Sequence, residues 1–280
     1  MKRGVYLVPS LLTLANLAAG VVALIFSANL RFTSAAWAIL AGIVMDILDG
    51  RVARWAGATS QFGVELDSLS DLVSFGVAPA LMMYQLALQP LGRPGLMIAI
   101  FFAMAAALRL ARFNLRVQTG EPVGYFLGLP VPAAAGILAS FVLSYELFAD
   151  SNLSAKTIPA LMERMPLFYR SVPLTMMLLS FLMISSVHYG NFKQFRLGRP
   201  KSIQNLTIIV VGVLLIFTYP QNTIFIVFSL YVAWGMVGYA WRFYRARRWR
   251  LARQMVRRHQ HDEDAEDRPV AGSLPWNPKK

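Results

Sequence analysis

The chain has 280 residues, of which 56% are hydrophobic and only 15% charged, and its mean hydropathy is +0.51. Soluble domains average about 25% charged residues, so a soluble fold is excluded, and the absence of ~10-residue alternating segments excludes a membrane β-barrel. There is no cysteine, so disulfides and thiolate metal sites are excluded too, and the net charge of +13 sits beside apolar segments and in the tail, where it serves topology and anionic lipid rather than nucleic acid.

Apolar stretches close to the ~20 residues that cross a bilayer recur along the chain. They predict eight spans, at about 8–28, 34–55, 67–89, 95–115, 130–148, 171–189, 204–219 and 223–242. The expected fold is an all-α polytopic membrane protein. Met1-Lys2-Arg3 heads the first span, and no small-x-small cleavage site follows, so this segment reads as a span and not a leader. Asn16, inside that span, is a polar amide that wants a partner, in helix packing or at a site. The linker from Ala149 to Arg170 contains Pro159 and Pro166 and is expected to carry a short interfacial helix. His188 ends the sixth span as an interfacial histidine. Arg196, Arg199 and Lys201 form a basic loop, and Pro220-Gln221-Asn222 makes a tight turn before the last span.

With the N-terminus in the cytoplasm, only Arg31, Arg93, Lys156, Arg164 and Arg170 of the 27 basic residues fall on the far side. Both termini are therefore expected in the cytoplasm. The tail begins with WRFYRARRWRLARQMVRR, a helix end that snorkels into anionic lipid. It ends with HQHDEDAEDRPVAGSLPWNPKK, which is polar and expected to be disordered, so His259 and His261 make a poor metal site.

The chemistry lies at the cytoplasmic ends of spans two and three. Asp46 and Asp49 are three residues apart and Asp67 and Asp71 four apart, so each pair shares a helix face. The segment between them contains Gly57 and Gly63 and can turn the chain back, which brings four carboxylates together. Such anions repel one another and need cations among them. Hard divalent ions suit oxygen ligands, Mg²⁺ or Mn²⁺ above all, and two of them would clamp a phosphoryl group. Gly50 removes a side chain where a ligand must approach. Arg54 is placed to hold a diphosphate, Ser60 offers a hydroxyl, and Gly63 permits a tight return. A salt-bridged helix end is the plain structural alternative, but Arg51 and Arg54 are too few for four carboxylates.

The pattern Asp46-x2-Asp49-Gly50-x2-Ala53-Arg54-x8-Gly63-x3-Asp67-x3-Asp71 resembles the signature of the CDP-alcohol phosphatidyltransferases. The resemblance implies a six-helix membrane core, usually dimeric, with two divalent ions held by Asp46, Asp49, Asp67 and Asp71. It implies that Gly50, Arg54, Ser60 and Gly63 line a site for a CDP-linked lipid; Asn16, from span one, is a candidate to reach that site. It also implies that Asp71 is the general base for the acceptor hydroxyl. The core domain would cover residues 1–190, the two additional spans 191–245, and the tail 246–280.

Three further stretches, PSLLTLANL from Pro9, RLARFN from Arg109 and FLGLPVPAAA from Phe126, resemble segments of the phosphatidylserine synthases of that family. The expected reaction is transfer of a phosphatidyl group from CDP-diacylglycerol to L-serine. The setting would be a bacterial inner membrane, with the site facing the cytoplasm. Arg109 and Arg112, with Asn114 beyond them, suit an acceptor that carries a carboxylate, although topology alone also places arginines there. Gly128-Leu129-Pro130-Val131-Pro132 reads as the start of a helix. The same chemistry on glycerol 3-phosphate or an inositol phosphate is the near alternative. An ion transporter using intramembrane carboxylates is the distant one, and it would place acids near span centres.

Overall fold

The computed structural model describes residues 7–57, 60–119, 126–149, 159–185, 188–189 and 222–235. They form seven helices: α1 (Leu7–Ala28), α2 (Phe32–Ala56), α3 (Gln61–Leu91), α4 (Arg93–Gln118), α5 (Val131–Ala149), α6 (Pro159–Ile184) and α7 (Asn222–Gly235). A two-residue antiparallel pairing joins β1 (Phe126–Leu127) to β2 (His188–Tyr189). Residues 1–235 make up one compact unit, and residues 236–280 a second that lies outside the described residues.

Among the described residues, four helices are long and apolar enough to cross a membrane: Pro9–Ala28, Phe32–Ala56, Gln61–Leu91 and Arg93–Arg116. Val131–Tyr145, Tyr169–Ile184 and Asn222–Gly235 are shorter apolar helices. The chain is an integral membrane protein built of helices, as the composition requires. The expected seventh span, at about 204–219, and the basic and acidic tail lie outside the described residues.

Two boundaries differ from the hydropathy reading. α3 begins at Gln61, a turn and a half before the expected start, because Ser60 caps it by accepting the Gly63 N–H at 3.0 Å. Its first turns carry the carboxylates, so helix continues where the apolar pattern has not yet begun. α6 begins at Pro159 and runs unbroken to Ile184, so the second half of the expected linker is the start of this helix, while residues 150–158 lie outside the described residues. Proline fits a first helical position because the N–H it lacks would have no partner there.

Small residues let the helices approach closely, as membrane interfaces require. A side chain at Gly20 would collide with Ser74 of α3, and one at Gly42 would meet the Asn16 amide oxygen at 2.9 Å. Together these positions seat α1 against α2 and α3. The core continues through Ile39, Phe75, Met82, Phe102 and an alanine-rich face of α5, all fully or almost fully buried. α3 carries two π-helical stretches, Leu72–Val77 and Tyr84–Leu88, the first directly after Asp71. Such local widening of a helix is common beside functional sites.

Candidate active site

α2 ends at Ala56 because Gly57 takes the left-handed conformation, φ 59°, and caps it with its own N–H. α3 starts after Ser60. This return brings Asp46, Asp49 and Asp67 together: one oxygen from each carboxylate lies within 4.8 Å of the others. The fourth aspartate, Asp71, lies one turn deeper on α3 and is 7% exposed.

α1 supplies the partners that aim these groups. Asn16 donates its amide N–H to Asp71 Oδ1 at 3.1 Å. The Thr13 hydroxyl lies 3.0 Å from Asp49 Oδ2 and 3.1 Å from the Pro9 carbonyl, so its one proton has two acceptors. α3 fixes α1 in return. Ser70 donates to the Thr13 carbonyl at 3.0 Å, and Ser74 to the Asn16 carbonyl at 2.8 Å. Thr13 is the residue the sequence reading passed over. Its signal was there, since Thr13 and Asn16 are three apart on one face of an otherwise apolar helix.

Three carboxylates this close repel by roughly 3–4 kcal/mol per ionised pair at an effective dielectric constant of ~20. The buried Asp67 Oδ1 has no hydrogen-bond partner, and neither has the buried Asn16 Oδ1. Oxygen donors converging on one point, one of them unsatisfied, fit a divalent cation of the Mg²⁺ or Mn²⁺ class.

A cavity opens beside this cluster. Asp49, Gly50, Ser60, Gly63 and Asp67 line it together with Pro9, Ser10 and Thr13 of α1. At Gly50 a Cβ would stand 3.6 Å from Arg54 Nη1, so the guanidinium lies close to a glycine that lines the cavity. Ser60 uses its oxygen to cap α3, which leaves its O–H as the group it can offer a ligand. Asn16 is placed differently from the other expected lipid-site residues. It stands behind Asp71, fully buried.

The expected acceptor residues separate. Arg109 points inward, 9% exposed, where its charge interacts with Asp71 and Asp46, and its guanidinium lies 5.3 Å from the Phe113 ring centre. Arg112 is exposed and donates to the Ile184 carbonyl at 2.6 Å, capping the C-terminal end of α6. Asn114 donates to Ser68 Oγ at 2.8 Å, tying α4 to α3. Gly128 takes a positive φ of 78° against the backbone of Met183 and Ser185. The Pro130 carbonyl then accepts the first N–H bonds of α5.

The sequence profile of the CDP-alcohol phosphatidyltransferase family matches residues 6–165, which include all four aspartates and the whole cavity. The chain belongs to this family. A Helicobacter pylori protein named CDP-diacylglycerol--serine O-phosphatidyltransferase is 32% identical over 235 residues, 83% of this chain and 90% of the relative. Proteins of the same name from Methanocaldococcus jannaschii and Bacillus subtilis are 38% and 35% identical. Those matches cover 57% and 50% of this chain and 72% and 77% of the relatives. The phosphatidyltransferase is thus a membrane-embedded enzyme of phospholipid synthesis. Its α2–α3 return is where the family signature lies.

Proposed function

We propose that this enzyme transfers the phosphatidyl group of CDP-diacylglycerol to the hydroxyl of L-serine, giving phosphatidylserine and CMP. The observation that carries this reading is the convergence of Asp46, Asp49 and Asp67 at the mouth of a cavity rimmed by Gly50, Ser60 and Gly63, with Arg54 beside it. The printed names of the relatives point to serine as the acceptor.

Asp46, Asp49, Asp67 and Asp71 would hold two divalent ions, Mg²⁺ or Mn²⁺. Bound there, the ions would supply positive charge to the diphosphate and to the departing CMP. The protein's residues do the positioning. Gly50 and Gly63 leave room for the diphosphate at the backbone, and Arg54 and Ser60 direct N–H and O–H donors at its oxygens. Asn16 holds Asp71 in place, and Asp71 receives the proton of the acceptor hydroxyl. The serine oxygen then bonds to the lipid-side phosphorus while the bond from that phosphorus to the oxygen of CMP breaks. Arg109, buried next to Asp71, would meet the serine carboxylate, while Arg112 ties α4 to the end of α6 and Asn114 ties it to α3. Catalysis of this kind is mostly orientation and charge stabilisation.

The positive-inside distribution of Lys and Arg supports a cytoplasmic site and cytoplasmic termini, in a bacterial inner membrane. The family resemblance supports a homodimer, with a core domain over residues 1–190 followed by two additional spans and the tail.

The test is CMP release by the purified enzyme from CDP-diacylglycerol with Mn²⁺ or Mg²⁺ and a panel of alcohols, the lipid product being identified. Serine-dependent release, with phosphatidylserine as product and at least ~10³-fold lower in Asp71→Asn, is the expected result. Release with glycerol 3-phosphate or an inositol phosphate in place of serine would retain the metal site and reject the serine assignment.

A further inference from the structure

At the far end of α1 from Thr13 and Asn16, the chain turns into α2 through Asn29, Leu30 and Arg31. The Arg31 N–H donates to the Phe26 carbonyl at 2.9 Å and the Leu30 N–H to the Ser27 carbonyl at 3.1 Å, the paired bonds of a left-handed helix cap. Leu30 takes a φ of 59° and is the one residue other than glycine with a positive φ among the described residues. Glycine would hold this turn with less strain, because a Cβ crowds the following carbonyl in the left-handed region. Leu30 instead sets an apolar side chain, 61% exposed, at the edge of a cavity of about 450 Å³.

The α2 wall of this cavity is polar. Arg31 is exposed, has no ion-pair partner among the described residues, and makes no side-chain cap on α2. The buried Thr33 Oγ1 has no hydrogen-bond partner, and Ser34 adds a second hydroxyl to the lining. The facing wall is apolar and braced. Leu86 and Val142 line it together with Tyr145. The Tyr145 ring stacks on Tyr169, with centroids 5.0 Å apart and planes 22° apart, and the Tyr169 hydroxyl donates to the Leu86 carbonyl at 3.0 Å. α3, α5 and α6 are thereby tied together behind the cavity.

A buried hydroxyl without a partner is costly unless a ligand or water meets it. One guanidinium and two hydroxyls on the same wall suit phosphate oxygens, which arginine can bind through two N–H groups at once. The apolar wall suits hydrocarbon, which a free phosphate ion lacks. No carboxylate is among the described lining residues to receive an ammonium, so an anionic headgroup fits better than a zwitterionic one. From Thr13 to Ala28, α1 rises about 22 Å, so this cavity is separate from the one beside the aspartates. We propose that it is a second, non-catalytic lipid site that takes the phosphodiester of an anionic phospholipid. Arg31, Thr33 and Ser34 meet the phosphate oxygens, and Leu30, Val142 and Tyr145 flank the glycerol and the first methylenes of the chains.

Native mass spectrometry of the full-length enzyme, delipidated in detergent, tests this with phosphatidylglycerol and phosphatidylcholine as probes. The wild type should retain one phosphatidylglycerol in preference to phosphatidylcholine. Arg31→Gln should weaken that retention about 10-fold, the effect of losing a hydrogen bond to a charged group. Thr33→Val, which keeps the shape, should weaken it by a smaller factor, and it gives an independent reading should Arg31→Gln fail to fold. Arg93→Gln removes an exposed arginine that does not line the cavity and should bind as the wild type does. CMP release and the thermal midpoint of the three variants should stay at wild-type values. Equal losses in Arg31→Gln and Arg93→Gln would mean that surface charge alone attracts the lipid, and would overturn the proposal. Equal retention of the two lipids would overturn it as well. Saturable binding of inorganic phosphate, lost in Arg31→Gln, without any preference between the lipids would assign the cavity to a soluble anion and reject the lipid site.

Discussion

The aspartates of α2 and α3 and the arginines of α4 lie at the same end of their helices in the sequence reading, but they are held in different ways. On the acidic side every aspartate belongs to one helix–turn–helix, and α1 lies alongside to aim two of them through Thr13 and Asn16. On the basic side two arginines three residues apart have opposite fates. Arg109 is buried beside Asp71, while Arg112 leaves for the end of α6. The lesson is that a short local motif can bring a cluster of carboxylates together almost alone, whereas the placement of a buried cation needs helices far away in sequence to decide which charge faces inward.

Substitutions can break this contrast or sharpen it. The largest effect is expected on the acidic side. Asp67→Asn should lower CMP release by at least ~10³-fold. Chelation of divalent ions should abolish the wild-type activity, and added Mn²⁺ or Mg²⁺ should restore it. Substantial activity in the chelated enzyme would remove the metal role from this wall. A smaller loss is expected behind it. Thr13→Val keeps the shape but removes the proton shared with Asp49, and it should raise the metal concentration needed for half-maximal activity by ~10–100-fold. Metal titrations at saturating lipid would measure it, and an unchanged requirement would mean that Asp49 does not depend on α1. The smallest effect is expected on the basic side, at Arg112→Ala. Loss of a cap at the end of α6 costs about 0.3–1 kcal/mol, so the thermal midpoint should fall by a few degrees at most. The KM for serine should change far less than in Arg109→Ala. If instead Arg112→Ala raised that KM as much as Arg109→Ala does, the separation of the two arginines would not hold in the working enzyme.

The start of α3 moved for a physical reason. Hydropathy finds a helix only where its exposed or buried face is apolar, and the first turns of α3 are polar because they carry the site. A capping serine reports such a start better than the apolar pattern does, since it acts through one hydrogen bond to Gly63. Arg109 and Arg112 show the converse case. Their spacing placed them together, but spacing fixes only the angle between two side chains on a helix. Neighbouring helices decide where each one ends up.

What the sequence determined by itself was the membrane class, the helical architecture and the pairing of the four aspartates. Composition sets the solvent of the fold, and helical pitch sets the face shared by residues three or four apart. What only the tertiary structure decided were the contacts across the chain. Thr13 reaches Asp49 over 36 residues and Asn16 reaches Asp71 over 55. Gly20 and Gly42 set how closely α1 can approach its neighbours, and Gly136 sets how α7 is seated. Such contacts depend on interhelical distance and rotation, which arise from the packing of all the helices together and leave no periodic trace in any one of them.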